Sequence, residues 1–210
     1  MKTLLIANPK GGVGKSLVSI LAVEWFLAHG FRVGVEDADQ NQNTLDWMAF
    51  CKQKGREIDR EPTPELMIID TAGLSGALRP FMAKADLILT PFKGLTPDIA
   101  RLIRRWWFSD LTEEDKAKLY FVPNMMRVTQ PTKDQVIAHE TLQKLLQKEG
   151  REGHLLPGLA LREAIYGRVF NGSSTNFFQQ NPSLNPSLRH AQEEAHALFS
   201  EVQHLLDLTK

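Results

Sequence analysis

Apolar and polar positions change rhythm repeatedly along this chain. Short apolar runs end in turn chemistry at 3–7 (TLLIA), 32–38 (RVGVEDA), 65–70 (ELMIID), 85–92 (ADLILTPF) and 118–125 (KLYFVPNM), and each predicts a buried strand. Between them, apolar residues recur at helical spacing. The stretch 16–30 predicts a helix with Gly30 as its stop, and 44–55 one with Thr44 as N-cap and Gly55 as stop. The stretch 75–85 predicts a loop with a short helix, and 96–111 a helix opened by Thr96 and Pro97. A Thr-x-x-Gln capping box opens another at 132–150, and a final helix is expected from Ser187 to Asp207. "GHLLPG" (153–158) suggests a short sixth strand, and 171–187 a long loop that Phe177 and Phe178 pack down. Strand and helix alternate throughout. That predicts a single α/β domain over residues 1–210, a mostly parallel twisted sheet with helices on both faces.

Composition narrows the class. The 210 residues suit one compact domain, and 42% hydrophobic content supports a sizeable core. Lys and Arg balance Asp and Glu at 25 each, so any binding of nucleic acid or membrane has to come from a local patch. A lone Cys51 provides neither an internal disulfide nor a Cys-rich metal site. The apolar run in "MKTLLIANPKGG" is too short for a signal peptide, and no run of about 18 apolar residues predicts a membrane span. A soluble protein of a reducing compartment is expected.

The chemistry concentrates in "NPKGGVGKSLVSI", Asn8 to Ile20, which follows the first strand and opens the first helix. Glycines let a backbone wrap closely and aim its N–H groups at anionic oxygens, and the helix adds its positive end. This is P-loop context for ATP: Gly11, Gly12, Val13, Gly14, Lys15, Ser16 and Leu17 cradle phosphates, Lys15 meets the terminal ones, and the Ser16 hydroxyl meets Mg²⁺. The strict pattern wants Gly at position 9, which is Pro9 here. Lys-Gly-Gly-Val-Gly-Lys-Ser is the deviant form, and with it the chain resembles the ParA/MinD family of partitioning ATPases. The resemblance covers most of the chain and is strongest over 1–100. It implies that Lys10 reaches across an ATP-dependent homodimer to the partner's nucleotide. The alternatives for Lys10 are a solvated lysine or service to its own phosphates.

The resemblance extends to the carboxylates. "EDADQNQ" (36–42) matches the family's Asp-x-Asp, which implies that Asp39 positions the attacking water and Asp37 supports the loop; turn acids that merely cap the next segment are the alternative. Gln40 stands where the family usually has Pro, and Glu36 where it has an aliphatic residue. "LMIIDTAG" (66–73) is an apolar strand ending in Asp70, the Walker-B pattern at the Mg²⁺ shell. Asp70 to Gly73 also fits a GTPase switch, yet no Asn-Lys-x-Asp guanine motif occurs, which favours ATP. Asn124 and Pro157 match family positions that contact adenine, with structural turns as the alternative.

The family's task then has to be read from the remaining surface. The resemblance implies an ATPase (ATP and water to ADP and phosphate), weak unless a ParB-type adaptor stimulates it. It implies non-specific DNA binding by the ATP-bound dimer, and a role in segregating or positioning plasmid or mobile-element DNA or another large cargo. No helix-turn-helix domain precedes the loop, which matches the small ParA type. "DADQNQNTLDW" is similar to conjugation-associated members. Arg162, Arg168 and Arg189 fall where the family places DNA contacts; Arg101, Arg104 and Arg105 share a helix face beside Trp106 and Trp107, where a solvated edge over buried indoles is the plainer account. A MinD-like membrane regulator is one alternative, disfavoured because the last helix carries Glu193, Glu194 and Glu201. A phosphoryl-transfer enzyme of dethiobiotin-synthetase type is another, but that type lacks the Lys-Gly-Gly opening. The nitrogenase iron-protein branch needs cluster cysteines that Cys51 alone does not supply. A cytoplasmic location follows, on the nucleoid if the DNA reading holds.

Overall fold

The computed structural model describes the chain apart from residues 57, 59–62, 74, 128, 174 and 175. Its strands are β1 (Lys2–Ile6), β2 (Val33–Ala38), β3 (Leu66–Thr71), β4 (Leu87–Phe92), β5 (Leu119–Met126) and β6 (Leu159–Ala160). They form one parallel sheet in the order β2-β3-β1-β4-β5-β6. The helices are α1 (Lys15–Ala28), α2 (Asn43–Gln53), α3 (Ser75–Lys84), α4 (Thr96–Arg101), α5 (Glu113–Ala117), α6 (Lys133–Lys148), α7 (Glu163–Phe170) and α8 (Pro186–Leu205).

Period-two alternation divides the strand side chains between two cores. Leu4 and Ile6 pack with Val18, Leu21 and Phe26 of α1 and Phe199 of α8. Leu5 and Ala7 pack on the other face with Trp106, Trp107 and Leu142. Helix α1 lies between the sheet and α7 and α8, so all its residues from Leu17 to Phe26 are buried. The strand order reverses beside β1, which opens a crevice at the carboxyl ends of β1 and β3. The predicted α/β architecture, with helices on both faces, is thus the observed one.

Local departures have physical causes. The stretch 96–111 is not one α-helix: α4 runs into a π-helix, Leu102–Asp110. Its last bond runs from Leu111 N back five residues to Trp106 O, at 3.1 Å. The wider turn takes the neighbouring Trp106 and Trp107 inward together, both at 2% exposure or less. Residues 153–158 are not a strand. Glu152–His154 is a 3-10 turn, Leu155 makes one isolated bridge to Phe121, and Pro157 interrupts the ladder before β6. Helix α7 was not expected, although Ile165, Tyr166 and Val169 carry its inward spacing. The loop at 171–187 does pack down, with Phe177 fully buried; positions 174 and 175 of it lie outside the described residues.

Candidate functional site

The loop after β1 is pinned from both sides. Asn8 donates through Nδ2 to Pro91 O at 2.8 Å and accepts from Lys10 N at 2.8 Å, which turns the chain into the glycines. Gly14 takes φ 91° as α1 begins, and a Cβ there would come within 2.1 Å of Asn124 Nδ2. Asn124 itself lies under the loop, fully buried, donating to Val13 O at 2.8 Å. Gly73, after β3, approaches so closely that a Cβ would meet Gly11 N at 2.8 Å. No side chain caps α1, so its first N–H groups remain available to an anion.

Lys15 is 6% exposed, and its Nζ lies across the loop at 3.2 Å from Lys10 O. Burial lowers its pKa below the ordinary lysine value, and the charges of Asp70 and Asp39 work against that shift. A buried ammonium of this kind gains from a polyanion. Lys10 behaves differently. Its Nζ leaves the loop for an ion pair with Asp98 of α4, and its side chain stays 39% exposed.

The carboxylates lie at the ends of β2 and β3, where Asp37 and Asp70 are register partners. Asp37 Oδ1 accepts from Asp39 N at 3.0 Å, and its Oδ2 accepts from Thr44 N at 2.9 Å and Leu45 N at 3.2 Å. Asp37, not Thr44, therefore serves the open N–H groups of α2; Thr44 lies inside the helix, and the cap position is Gln42 at φ 50°. Asp39 lines the cavity and accepts from Asn41 N at 3.0 Å. Asp70 is fully buried: Oδ2 accepts from the Thr44 hydroxyl at 2.7 Å, while Oδ1 is buried without a hydrogen-bond partner. Burial raises its pKa above the usual carboxylate range.

These elements border a cavity of about 840 Å³. One side includes Gly11, Gly12, Gly14, Lys15, Ser16, Leu17 and Asp39. The other is β6 and α7, where Leu161, Arg162, Tyr166 and Phe170 face the space. Of these, Arg162 is held by Glu194 at 2.5 Å. Pro157 is exposed and stands off the cavity wall. Arg168 is exposed without an ion pair among the described residues, and Arg189 is 3.9 Å from Glu193. Asn8, Thr44, Leu161, Tyr166 and Phe170 were not singled out as site residues from the sequence. Asn8-Pro9 turn chemistry could have drawn attention to the first; nothing local marks the others.

The profile of the family described as the CobQ/CobB/MinD/ParA nucleotide binding domain matches residues 4–176. The chain belongs to this family. ParA/MinD family ATPases bind ATP with Mg²⁺. The chain is similar to a solved McdA(D38A)-ATP complex from Cyanothece, at 16% identity and TM-score 0.70, covering 100% of this chain and 98% of that one. It is also similar to a putative plasmid partition protein of Borrelia burgdorferi B31 bound to AMPPNP, at 15% identity, TM-score 0.63 and coverage of 96% and 99%. A third is pNOB8 ParA bound to nonspecific DNA, at 14% identity, TM-score 0.57 and coverage of 98% and 97%. No curated protein matches the chain in sequence.

The residues present fit the family's cofactors. Among the described residues no cluster of three His, Cys, Asp or Glu could hold a metal alone. A cation here would share its shell with phosphate oxygens, as Mg²⁺ does in P-loop proteins. The unpartnered Oδ1 of Asp70 is the buried acceptor that such a shell would satisfy, directly or through water.

Proposed function

We propose that this ParA/MinD-type domain is an ATP-dependent dimerisation switch that hydrolyses Mg-ATP slowly and positions DNA or another large cargo. The observation that carries the reading is the division of labour between its two loop lysines. Lys15 already lies within its own cradle, whereas Lys10 carries its ammonium out of that cradle to Asp98. A lysine whose ammonium is turned away from its own cradle is placed to serve the phosphates of a second copy.

In this reading the loop N–H groups and Lys15 hold the phosphate oxygens. Asp39 orients the attacking water and accepts its proton. Ser16 and Asp70 are the residues that would hold magnesium, which would supply neutralisation of the phosphate charge. Lys10 of the second copy exchanges Asp98 for the transferring phosphoryl group; arginines in the analogous position are worth about 10³–10⁵ in rate. The apolar wall of Leu161 and Phe170 is suited to the base and sugar. DNA contact, with Arg168 as the freest of the three candidate arginines, follows from the likeness to the DNA-bound ParA, and pairing two subunits doubles those contacts. An adaptor of ParB type completes the cycle by speeding hydrolysis.

A membrane-bound variant of the switch is less well supported. Helix α8 turns Leu188, Ala191, Ala195, Leu198, Phe199 and Val202 into the core, which leaves that stripe unavailable to lipid. No helix among the described residues is long and apolar enough to cross a membrane. Gel filtration with Mg²⁺ and a slowly hydrolysed ATP analogue tests the proposal. A dimer that forms with the analogue, fails with ADP and fails in Lys10→Ala supports it; a monomer at saturating analogue rejects it.

A further inference from the structure

We propose that Thr44 is a positioning residue which orients the Asp70 carboxylate toward the magnesium ion and couples it to the turn that carries Asp39. The inference rests on reading Asp70 as the acid of the Mg²⁺ shell.

Thr44 is fully buried, and its hydrogen-bonding groups go to two different carboxylates. Its backbone N–H goes to Asp37 Oδ2 at 2.9 Å and its hydroxyl to Asp70 Oδ2 at 2.7 Å. Asp37 Oδ1 in turn holds Asp39 N at 3.0 Å. A single residue thus links the end of β3 to the turn after β2. The link is needed because Asp37 and Asp70 are paired across β2 and β3, and neighbouring carboxylates repel. A buried carboxylate also needs donors on its oxygens. The Thr44 hydroxyl occupies Oδ2 and leaves only Oδ1 without a partner, so the acceptor available to a cation is one defined oxygen. Without that hydroxyl Oδ2 loses its donor as well, and the side chain is free to rotate. Threonine is an ordinary helix former at best, so its presence in the first turn of α2 is not explained by propensity.

The test measures binding of a fluorescent ATP analogue as a function of Mg²⁺ concentration, and again in EDTA. Thr44→Val keeps the shape and removes the hydroxyl; Thr44→Ser keeps the hydroxyl. Thr44→Val is expected to raise the half-saturating Mg²⁺ concentration by about tenfold or more, the usual consequence of removing a hydrogen bond to a charged group. Its affinity in EDTA stays as in the unaltered protein, and Thr44→Ser stays within about threefold in Mg²⁺ dependence. A purely structural defect would lower both affinities together. If Thr44→Val fails to fold, judged by its thermal melt, Thr44→Ala replaces it. An unchanged Mg²⁺ dependence in the folded hydroxyl-less variant overturns the proposal, as does a Thr44→Ser defect of the same size. Asp70→Asn separates the two claims. If it alters Mg²⁺ dependence and Thr44→Val does not, only the Thr44 role falls. If Asp70→Asn has no effect, the reading of Asp70 falls first. In an Asp70→Asn background, Thr44→Val should add nothing.

Discussion

Behind one side of the cavity Asp37, Asp39, Thr44 and Asp70 are joined by hydrogen bonds, and Lys15 feels the charges of Asp70 and Asp39. On the other, between β6 and α7, Leu161 and Phe170 stand 40% and 38% exposed while the nearby Arg162 closes on Glu194. The first side holds charge in surroundings that penalise it, as the opposite pKa shifts of Lys15 and Asp70 record. The second offers apolar area, with its Arg162 charge already met by Glu194. Substitutions should therefore act strongly and selectively on the first side and mildly on the second.

The largest effect is expected from Lys15→Ala. If this buried ammonium meets the phosphates as proposed, its removal should weaken ATP and ADP binding by about a hundredfold or more, read by fluorescence titration. Asp39→Ala should leave binding intact while hydrolysis falls by about 10²-fold or more, so that a dimer persists with ATP; phosphate release and gel filtration together check this. Normal turnover in that variant would remove the water-positioning role.

A pH series separates the two sides further. The unliganded Lys15 has a depressed pKa, and phosphate raises it again. Between those two values binding takes up a proton, so nucleotide affinity falls as pH rises through that window and is level below it. Lys15→Ala should flatten the profile. Phe170→Ala, on the apolar side, should cost about three- to tenfold in affinity with no change in the pH profile, as the loss of a partly exposed ring implies. Equal sensitivity of both sides would end the comparison.

The smallest effects concern paired charges at the margins. Asp98→Ala frees Lys10, and the dimer should form at about two- to fivefold lower protein concentration, the scale of a partly exposed ion pair. Arg162→Ala should reduce DNA pelleting of the ATP-bound protein less than Arg168→Ala, because Glu194 already neutralises Arg162. The reverse order would assign the contact to Arg162 instead.

Much of the site was readable because its requirements are local. Positive φ at Gly12 and Gly14, the helix that starts at Lys15 and the acid that ends an apolar strand are each written in a few consecutive residues. The capping box at Thr132 and Gln135 was legible for the same reason. At Thr44 local reasoning failed: its type suits an N-cap, but Asp37 reaches the helix terminus first and leaves the threonine hydroxyl for a strand 26 positions away. The π-helix was equally hidden, since its pitch follows from burying two adjacent indoles against one sheet face.

By itself, then, the amino-acid order determined the alternation of strands and helices, the phosphate loop and the identity of the acids beside it. Backbone preference and hydrophobic period depend on neighbours along the chain, so they can be read without the fold. Where Lys10 points, what lies beneath the loop at Asn124, and which hydroxyl meets Asp70 depend on which distant strands and helices come to lie side by side. Those partnerships exist only once β2, β3, β1 and β4 have packed into one sheet.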